Sequence, residues 1–277
     1  MPTSIQGTSI VGEIEIAAPA KTVWKALTNA KELTRWLPLS AHVKAGKGGK
    51  MHLSWGEPVV QESTIEAWVP NKHLRLKEVR PFGAPYQPKK LKNVTREIDF
   101  KLTPNGAANT TLRLEHTNVA GKGAGMAAFS KSLADCWAFQ LNSLDVYATQ
   151  HLGKQRTVSW ARAVSKHSFP ATWKKVMGRM GLLHGGKKLT AKAAPGHKFD
   201  FKAVNGDKFE GTVLTHTPNK QFAGVVENLN NSVLRVVLDH CGGKPETTVW
   251  LATYGPVPEA AKLFEHRWTH TLQTLLQ

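Results

Sequence analysis

Trp137-Ala138-Phe139-Gln140-Leu141-Asn142-Ser143-Leu144 and Trp268-Thr269-His270-Thr271-Leu272-Gln273-Thr274-Leu275 share one spacing, a tryptophan followed by leucines four and seven positions on. That spacing sets three apolar side chains on one stripe of a helix. One such match would mean little, because Trp and Leu are ordinary core residues. Four more segments repeat in the same order. Val69-Pro70-Asn71-Lys72 recurs as Thr217-Pro218-Asn219-Lys220, and Thr111-Leu112-Arg113-Leu114 as Thr248-Val249-Trp250-Leu251. Pro19-Ala20 with Trp24, Ala26 and Leu27 recurs as Pro170-Ala171 with Trp173, Val176 and Met177; Gly48-Gly49-Lys50 recurs loosely as Pro195-Gly196-His197. Collinear repeats at offsets that shrink along the chain indicate one fold present twice, the second copy trimmed. The expected domains are 1–153 and 154–277, each long enough for its own core.

Within the first copy, Ile10, Gly12, Ile14 and Ile16 alternate with Val11, Glu13 and Glu15, the pattern of a half-buried strand. Pro19 suits the first turn of a helix running to about Thr28, and a second helix spans about Ala30 to Leu37, stopped by Pro38. Strands follow near 39–45, 50–55, 59–69, 73–79, 94–103 and 109–117, separated by turn residues such as Pro70-Asn71 and Pro104-Asn105-Gly106. A loop at 81–92 holds three prolines, Phe82, Tyr86 and three lysines. A long helix, about Gly125 to His151, closes the copy. The second copy reads as strand 157–164, helix 169–180, strands near 197–203, 209–216, 221–227, 232–240 and 247–254, and helix 257–276. Gly181 to Gly186 takes the place of its second helix. Runs of strands joined by short turns give an antiparallel sheet, and the long helix is the element large enough to cover it, which makes the class α+β.

The strand, then Ala18-Pro19-Ala20-Lys21-Thr22-Val23-Trp24-Lys25-Ala26-Leu27-Thr28, Leu33-Thr34-Arg35-Trp36, Gly48-Gly49 and Ile65-Glu66-Ala67-Trp68-Val69-Pro70 resemble the START-like SRPBCC superfamily. The branch they resemble is named after the C-terminal domain of the activator of the heat-shock protein 90 ATPase (AHSA). The second copy fits from Thr212 onward and loosely before it. The resemblance implies two tandem helix-grip domains, each a curved seven-stranded antiparallel sheet wrapped on a long C-terminal helix, with a cavity between. It also implies a wide choice of functions: lipid or small-molecule binding, aromatic cyclase, oxygenase subunit, co-chaperone. Fold does not choose among them.

A cavity of that kind is where a ligand is sought. Arg96 falls in phase with Val94, Ile98, Phe100 and Leu102, and His116 with Leu112 and Leu114. An inward arginine needs an acceptor, since an unpaired buried charge is costly. That acceptor is a bound anion, or a carboxylate or carbonyl at the cavity mouth. Trp36, Trp55, Tyr86 and Trp137 are candidate walls; plain core is the competing role for each.

Other signals point away from chemistry. His266 and His270 have the i, i+4 spacing of a helical metal pair, but His-Arg-Trp-Thr-His lacks the glutamate of the zinc motif. Both lie about 160° round the helix from Trp268, toward solvent. Asp239-His240-Cys241 are strand neighbours at a turn, unsuited to a nucleophile set. Gly121-Lys122-Gly123-Ala124-Gly125 lacks the phosphate-loop pattern. No metal or cofactor is expected.

The net charge of +17 is uneven. Residues 154–202 carry twelve Lys/Arg against Asp200 alone, while 203–277 are close to neutral. Such a block is a solvated face or a docking surface for an acidic partner. Nucleic acid is disfavoured, because Trp160, Phe169 and Trp173 fall at core-like spacings rather than interleaving with the basic residues. No apolar run reaches the ~20 residues of a membrane span, and Met1–Gly7 lacks the marks of a signal peptide. Cys136 and Cys241 sit at non-equivalent places in the repeat and read as unpaired, which suits the cytoplasm.

Three functions stay open on these grounds. The leading one is a non-enzymatic binder of an apolar or amphipathic small molecule in the first domain. The second is a protein-interaction or co-chaperone-like module using the basic segment. The third is a cyclase- or hydrolase-type enzyme dependent on Arg96.

Overall fold

The computed structural model describes residues 3–56, 59–81, 91, 94–179, 183–184, 187–188, 194–203, 205–241 and 243–277. Tyr86, most of the 81–92 loop and most of Gly181 to Gly186 lie outside them. The chain divides into two compact units, Met1–Gly153 and Lys154–Gln277.

The first unit runs β1 (Thr3–Gln6), β2 (Ser9–Ile16), α1 (Ala20–Thr28), α2 (Ala30–Leu33), β3 (Ser40–Val43), β4 (Lys50–Ser54), β5 (Val60–Val69), β6 (His73–Arg80), β7 (Glu97–Asn105), β8 (Asn109–His116) and α3 (Ala124–Val146). Its sheet has eight strands in the order β1-β2-β8-β7-β6-β5-β4-β3, all antiparallel. Two register shifts interrupt β5 against β6, at Glu62/Ser63 and Ile65/Ala67. Bulges of this kind bend a strand and increase its twist, which lets a sheet curl round a helix. Val23, Trp24 and Leu27 of α1 and Trp137, Leu141 and Leu144 of α3 are buried. Beyond Val146 the helix loosens into one π turn, Tyr147–His151.

The second unit runs β9 (Arg156–Val164), α4 (Phe169–Arg179), β10 (Leu183–His184), β11 (Lys187–Lys188), β12 (Lys198–Lys202), β13 (Lys208–Thr217), β14 (Gln221–Val226), β15 (Ser232–Cys241), β16 (Lys244–Tyr254), α5 (Glu259–Lys262) and α6 (Phe264–Leu276). Its strand order is β11-β10-β12-β13-β14-β15-β16-β9. In each unit, then, the strand before the first helix pairs with the last strand of the meander.

The repeat extends to individual backbone bonds. Asn71 and Asn219 both adopt left-handed backbone, at φ 62° and 61°. Each turn is closed by the next lysine, Lys72 N–H to Val69 O at 3.0 Å and Lys220 N–H to Thr217 O at 3.1 Å. Gly48 N–H bonds Ile65 O and Ile65 N–H bonds Gly49 O; Gly196 N–H bonds Val213 O and Val213 N–H bonds His197 O. A register shift follows at the same place in both copies, Ile65/Ala67 and Val213/Thr215.

Several sequence expectations shift. The N-terminal segment forms β1, an edge strand joined to β2 by a turn at Gly7; four residues of weak alternation carry too little periodicity to announce it. The second helix stops at Leu33, four residues early. Arg96 and Val94 precede β7 rather than lying in it. The last helix is split at Leu263, and its stripe drifts, so that Leu276 is buried and Leu275 only half-buried. Trp160, expected in the core, is 43% exposed. It lies on the edge strand β9, where Ala161 takes the inward position, and the Arg162 guanidinium sits 4.8 Å from its ring centre.

The two units fill their grips differently. In the second, Phe199, Phe201, Phe209, Phe222, Phe264 and Trp268 stack with ring centres 5.0–6.5 Å apart. Gly224 on β14 makes room for Phe199, since a Cβ there would lie 2.3 Å from its ring. In the first unit the corresponding space is lined mostly by leucines and tryptophans and is not filled.

Candidate functional site

Between the first sheet and α3 lies an apolar cavity of about 40 Å³. A single water needs roughly 10–15 Å³ of such space, so this is room for a few waters or a very small ligand before any wall moves. Trp36, Trp55, Trp137 and His116 all line it; Arg96 does not.

Each wall tryptophan has its indole N–H committed inside the protein. Trp36 donates to Ala26 O at 2.9 Å, Trp55 to Leu37 O at 3.1 Å, and Trp137 to His116 Nδ1 at 3.0 Å. The rings therefore offer apolar surface to the cavity. Edge-on contacts of Trp137 with Phe100 and with His116 fix its ring further.

Polar atoms at the cavity converge on one residue that the sequence reading passed over. Glu78 lines the cavity with its side chain 1% exposed. Its Oε2 lies 3.2 Å from His116 Nε2 and 3.4 Å from Arg96 Nε. Its Oε1 is buried with no hydrogen-bond partner among the described residues. The local reason is strand register. Leu74, Leu76 and Glu78 alternate on β6, so the carboxylate continues the inward face of the two leucines. Glu78 N–H bonds Arg96 O at 3.0 Å, which places the two side chains side by side. His116 stands opposite Ile98, whose other neighbour is Leu76.

Arg96 is 4% exposed and forms an ion pair with a carboxylate of the protein, although its Nε makes no hydrogen bond among the described residues. Burial lowers its pKa from the ordinary value, opposed by the charge of Glu78. Arginine does not give up its proton in a folded protein, so the pair is an ion pair of balanced charge. Removing Arg96 would strand a buried carboxylate. Loss of activity on Arg96→Ala would therefore not separate catalysis from folding.

A second buried cluster holds α2, and so Trp36, against the end of α3. Glu32 takes Lys25 and Arg35 on Oε1, each at 3.0 Å, and the Tyr147 hydroxyl on Oε2. Gly153 N–H donates to the same hydroxyl at 3.1 Å. Burial works against ionisation of Glu32, but hydrogen bonds from Tyr147, Lys25 and Arg35 outweigh it and hold its pKa below the ordinary value. Burial, reinforced by Glu32, pushes the Tyr147 phenol up to about 12.

Elsewhere, His266 and His270 are exposed on α6. Among the described residues no group of three or more His, Cys, Asp or Glu side chains is placed to hold a metal ion. No helix among them is long and apolar enough to cross a membrane.

Comparison with known proteins bears on the first unit. Residues 17–149 match the family described as Activator of Hsp90 ATPase homolog 1-like protein. No curated protein matches the chain. Among solved structures it is similar to the di-domain ARO/CYC BexL of the BE-7585A biosynthetic pathway, at 13% identity over 97% of this chain and 93% of that one, with a TM-score of 0.43. It is similar to DynU16 of the dynemicin biosynthetic locus at 16% identity, over 98% and 97% of the two chains, TM-score 0.42. Protein MLL2253 from Mesorhizobium loti is 24% identical, over 50% of this chain and 93% of its own, TM-score 0.40. Likenesses this distant add no argument to the strand order. The family match takes in α1, every strand from β3 to β8 and α3, so it is the first unit that carries the likeness to the Activator of Hsp90 ATPase homolog 1-like proteins.

Proposed function

We propose that the first unit is a non-enzymatic binding module for a small, largely apolar molecule, held between the sheet and α3. The observation that carries this is the cavity: apolar walls, every wall tryptophan internally bonded, and a charge-balanced polar cluster at Glu78. Binding sites for drug-sized ligands run to about 300–1,000 Å³, so the occupant here is much smaller or enters as side chains part. His116 argues for binding over catalysis, because both ring nitrogens are engaged by Trp137 and Glu78 and neither is left to exchange a proton with a guest. The second unit, filled by phenylalanines, serves as a buttress or docking surface. The two cysteines, Cys136 and Cys241, at non-equivalent places in the repeat, favour a reducing compartment such as the cytoplasm. Native mass spectrometry of gently purified full-length protein tests the binding reading. A bound species that dissociates on unfolding is expected; a protein that is empty, and that no small aromatic or aliphatic probe stabilises, would refute it.

A second reading rests on the +11 charge of residues 154–202 and on the co-chaperone for which the family is named. It makes the second unit a docking surface for an acidic protein. Lys174 and Lys175 are exposed on α4. A salt-sensitive complex that survives reversal of Lys174, Lys175, Lys187 and Lys188 to Glu would count against it.

A further inference from the structure

The apolar walls say little about which molecule is chosen; the polar end says more. We propose that the first-unit cavity selects a neutral apolar molecule carrying one hydrogen-bond donor, an O–H or N–H of phenol, alcohol or amide type, accepted by Glu78 Oε1. The inference rests on the binding reading above and names its ligand class.

The argument is one of accounting for donors, acceptors and charge. The three wall tryptophans have spent their only donors on Ala26, Leu37 and His116. An indole N–H can only donate, so His116 Nδ1 is the acceptor and its proton sits on Nε2, facing Glu78. Glu78 Oε2 is thereby taken by His116, with the Arg96 guanidinium ion-paired to it at 3.4 Å without a hydrogen bond from Nε. Oε1 remains, buried and without a partner among the described residues. A buried carboxylate oxygen left unpaired costs free energy, and a guest supplying a donor recovers it. An acceptor-only guest, such as a ketone or an ether, would meet Oε1 oxygen to oxygen and gain nothing.

Charge decides between a neutral and a cationic donor. With His116 neutral, Glu78 and Arg96 cancel. A cation at Oε1 would be desolvated beside a guanidinium that already neutralises the carboxylate, so it would be paid for twice in burial and repaid once. A neutral donor avoids this. The remaining lining is almost wholly apolar, with Gln61 and Gln140 the other polar side chains, and Gln140 Nε2 already rests on Cys136 Sγ at 3.4 Å.

Two probes of nearly equal shape isolate the effect: 4-methylphenol and 1,4-dimethylbenzene, differing by a hydroxyl in place of a methyl. Each is titrated into the full chain, with affinity read from the chemical shifts of the cavity tryptophan N–H groups. The phenol is expected to bind at least about tenfold tighter, as suits a hydrogen bond to a charged acceptor. Equal binding of both probes overturns the role of Glu78 while leaving the cavity reading standing. Binding of neither overturns the cavity reading itself. Protonated 4-methylbenzylamine is expected to bind more weakly than the phenol, and tighter binding overturns the neutral-ligand assignment. The double variant Glu78→Met/Arg96→Met removes both charges together, which spares the fold an orphaned ion. It should bind the two neutral probes alike; a preference for the phenol that survives in it overturns the assignment to Glu78. The wild-type comparison stands alone should the variant fail to fold.

Discussion

Trp137 donates its indole N–H to His116 Nδ1 across 3.0 Å, from α3 to the last strand of the first sheet. Because that donor cannot accept, the bond fixes the imidazole as the tautomer protonated on Nε2. Nitrogen-15 NMR of the imidazole should show a proton on Nε2 and none on Nδ1 at neutral pH. Trp137→Phe keeps most of the ring but leaves Nδ1 a buried acceptor with no donor, a loss of about 1–3 kcal/mol in denaturant unfolding. A proton found on Nδ1, or a variant as stable as wild type, would contradict the geometry.

The Trp137 and Trp268 stripes were legible because helical periodicity and repetition reinforce each other across more than a hundred residues. The asparagine turns and the Gly48/Gly196 approach were legible too, since each needs a special backbone that few residues adopt. The site was legible by halves. Trp36, Trp55, Trp137 and His116, all candidates on the sequence, do line the cavity. Nothing in the sequence marks Glu78, although it stands two residues beyond Leu76 in strict alternation. A carboxylate at a strand end ordinarily marks the passage to solvent, and only pairing with Arg96 across the sheet makes it affordable inside. That pairing is a tertiary fact. The exposure of Trp160 was hidden for a related reason: alternation gives two faces, and nothing local says which of Trp160 and Ala161 looks inward.

Tyr147 ties stability to alkaline pH. Its phenol is raised from 10.0 to about 12 in the folded protein. The unfolded chain therefore ionises this group first, so its contribution is intact below about pH 10 and is lost as pH rises toward 12. The full loss is on the order of 2 kcal/mol. Comparing wild type with Tyr147→Phe across that window cancels every other titrating group. Wild type should lose more stability than the variant; parallel curves would show that the phenol is not perturbed.

Glu32 acts in the opposite direction. Its pKa is held below the ordinary carboxylate value, so its stabilisation is present above that value and lost as pH falls through the folded one. Glu32→Gln should therefore flatten the acid limb of the unfolding curve below about pH 4.5. It should also loosen α2, read as faster amide exchange at Leu33 and Trp36. An unchanged acid limb would mean that Lys25, Arg35 and Tyr147 do not favour the charged form.

Gly224 tests how closely the second grip packs around Phe199. A Cβ there would sit 2.3 Å from Cε1 of Phe199 and 3.1 Å from Thr212 O. Gly224 has no left-handed backbone to protect, so the cost of Gly224→Ala comes from crowding, about 1–3 kcal/mol or more. Pairing it with Phe199→Leu should recover part of that loss in a double-mutant cycle. Additive losses would place the strain elsewhere.

The two tryptophans at opposite extremes of exposure in the second unit should separate cleanly. Trp268 is 1% exposed, donates to Asp207 Oδ2 at 3.0 Å and stacks among phenylalanines, while Trp160 lies on the outer face of an edge strand over Arg162. Trp268→Ala removes a buried ring and one of the donors of the Asp207 carboxylate, whose pKa is raised by burial and which Arg267 still pairs at 2.8 Å, a loss of about 3–5 kcal/mol. Trp160→Ala forfeits a partly exposed ring and one cation–π contact, a loss of under about 1 kcal/mol. Urea unfolding of the two variants measures both. A large loss at Trp160 would mean that this outer face is covered in the folded protein and that Trp160 belongs to an interface.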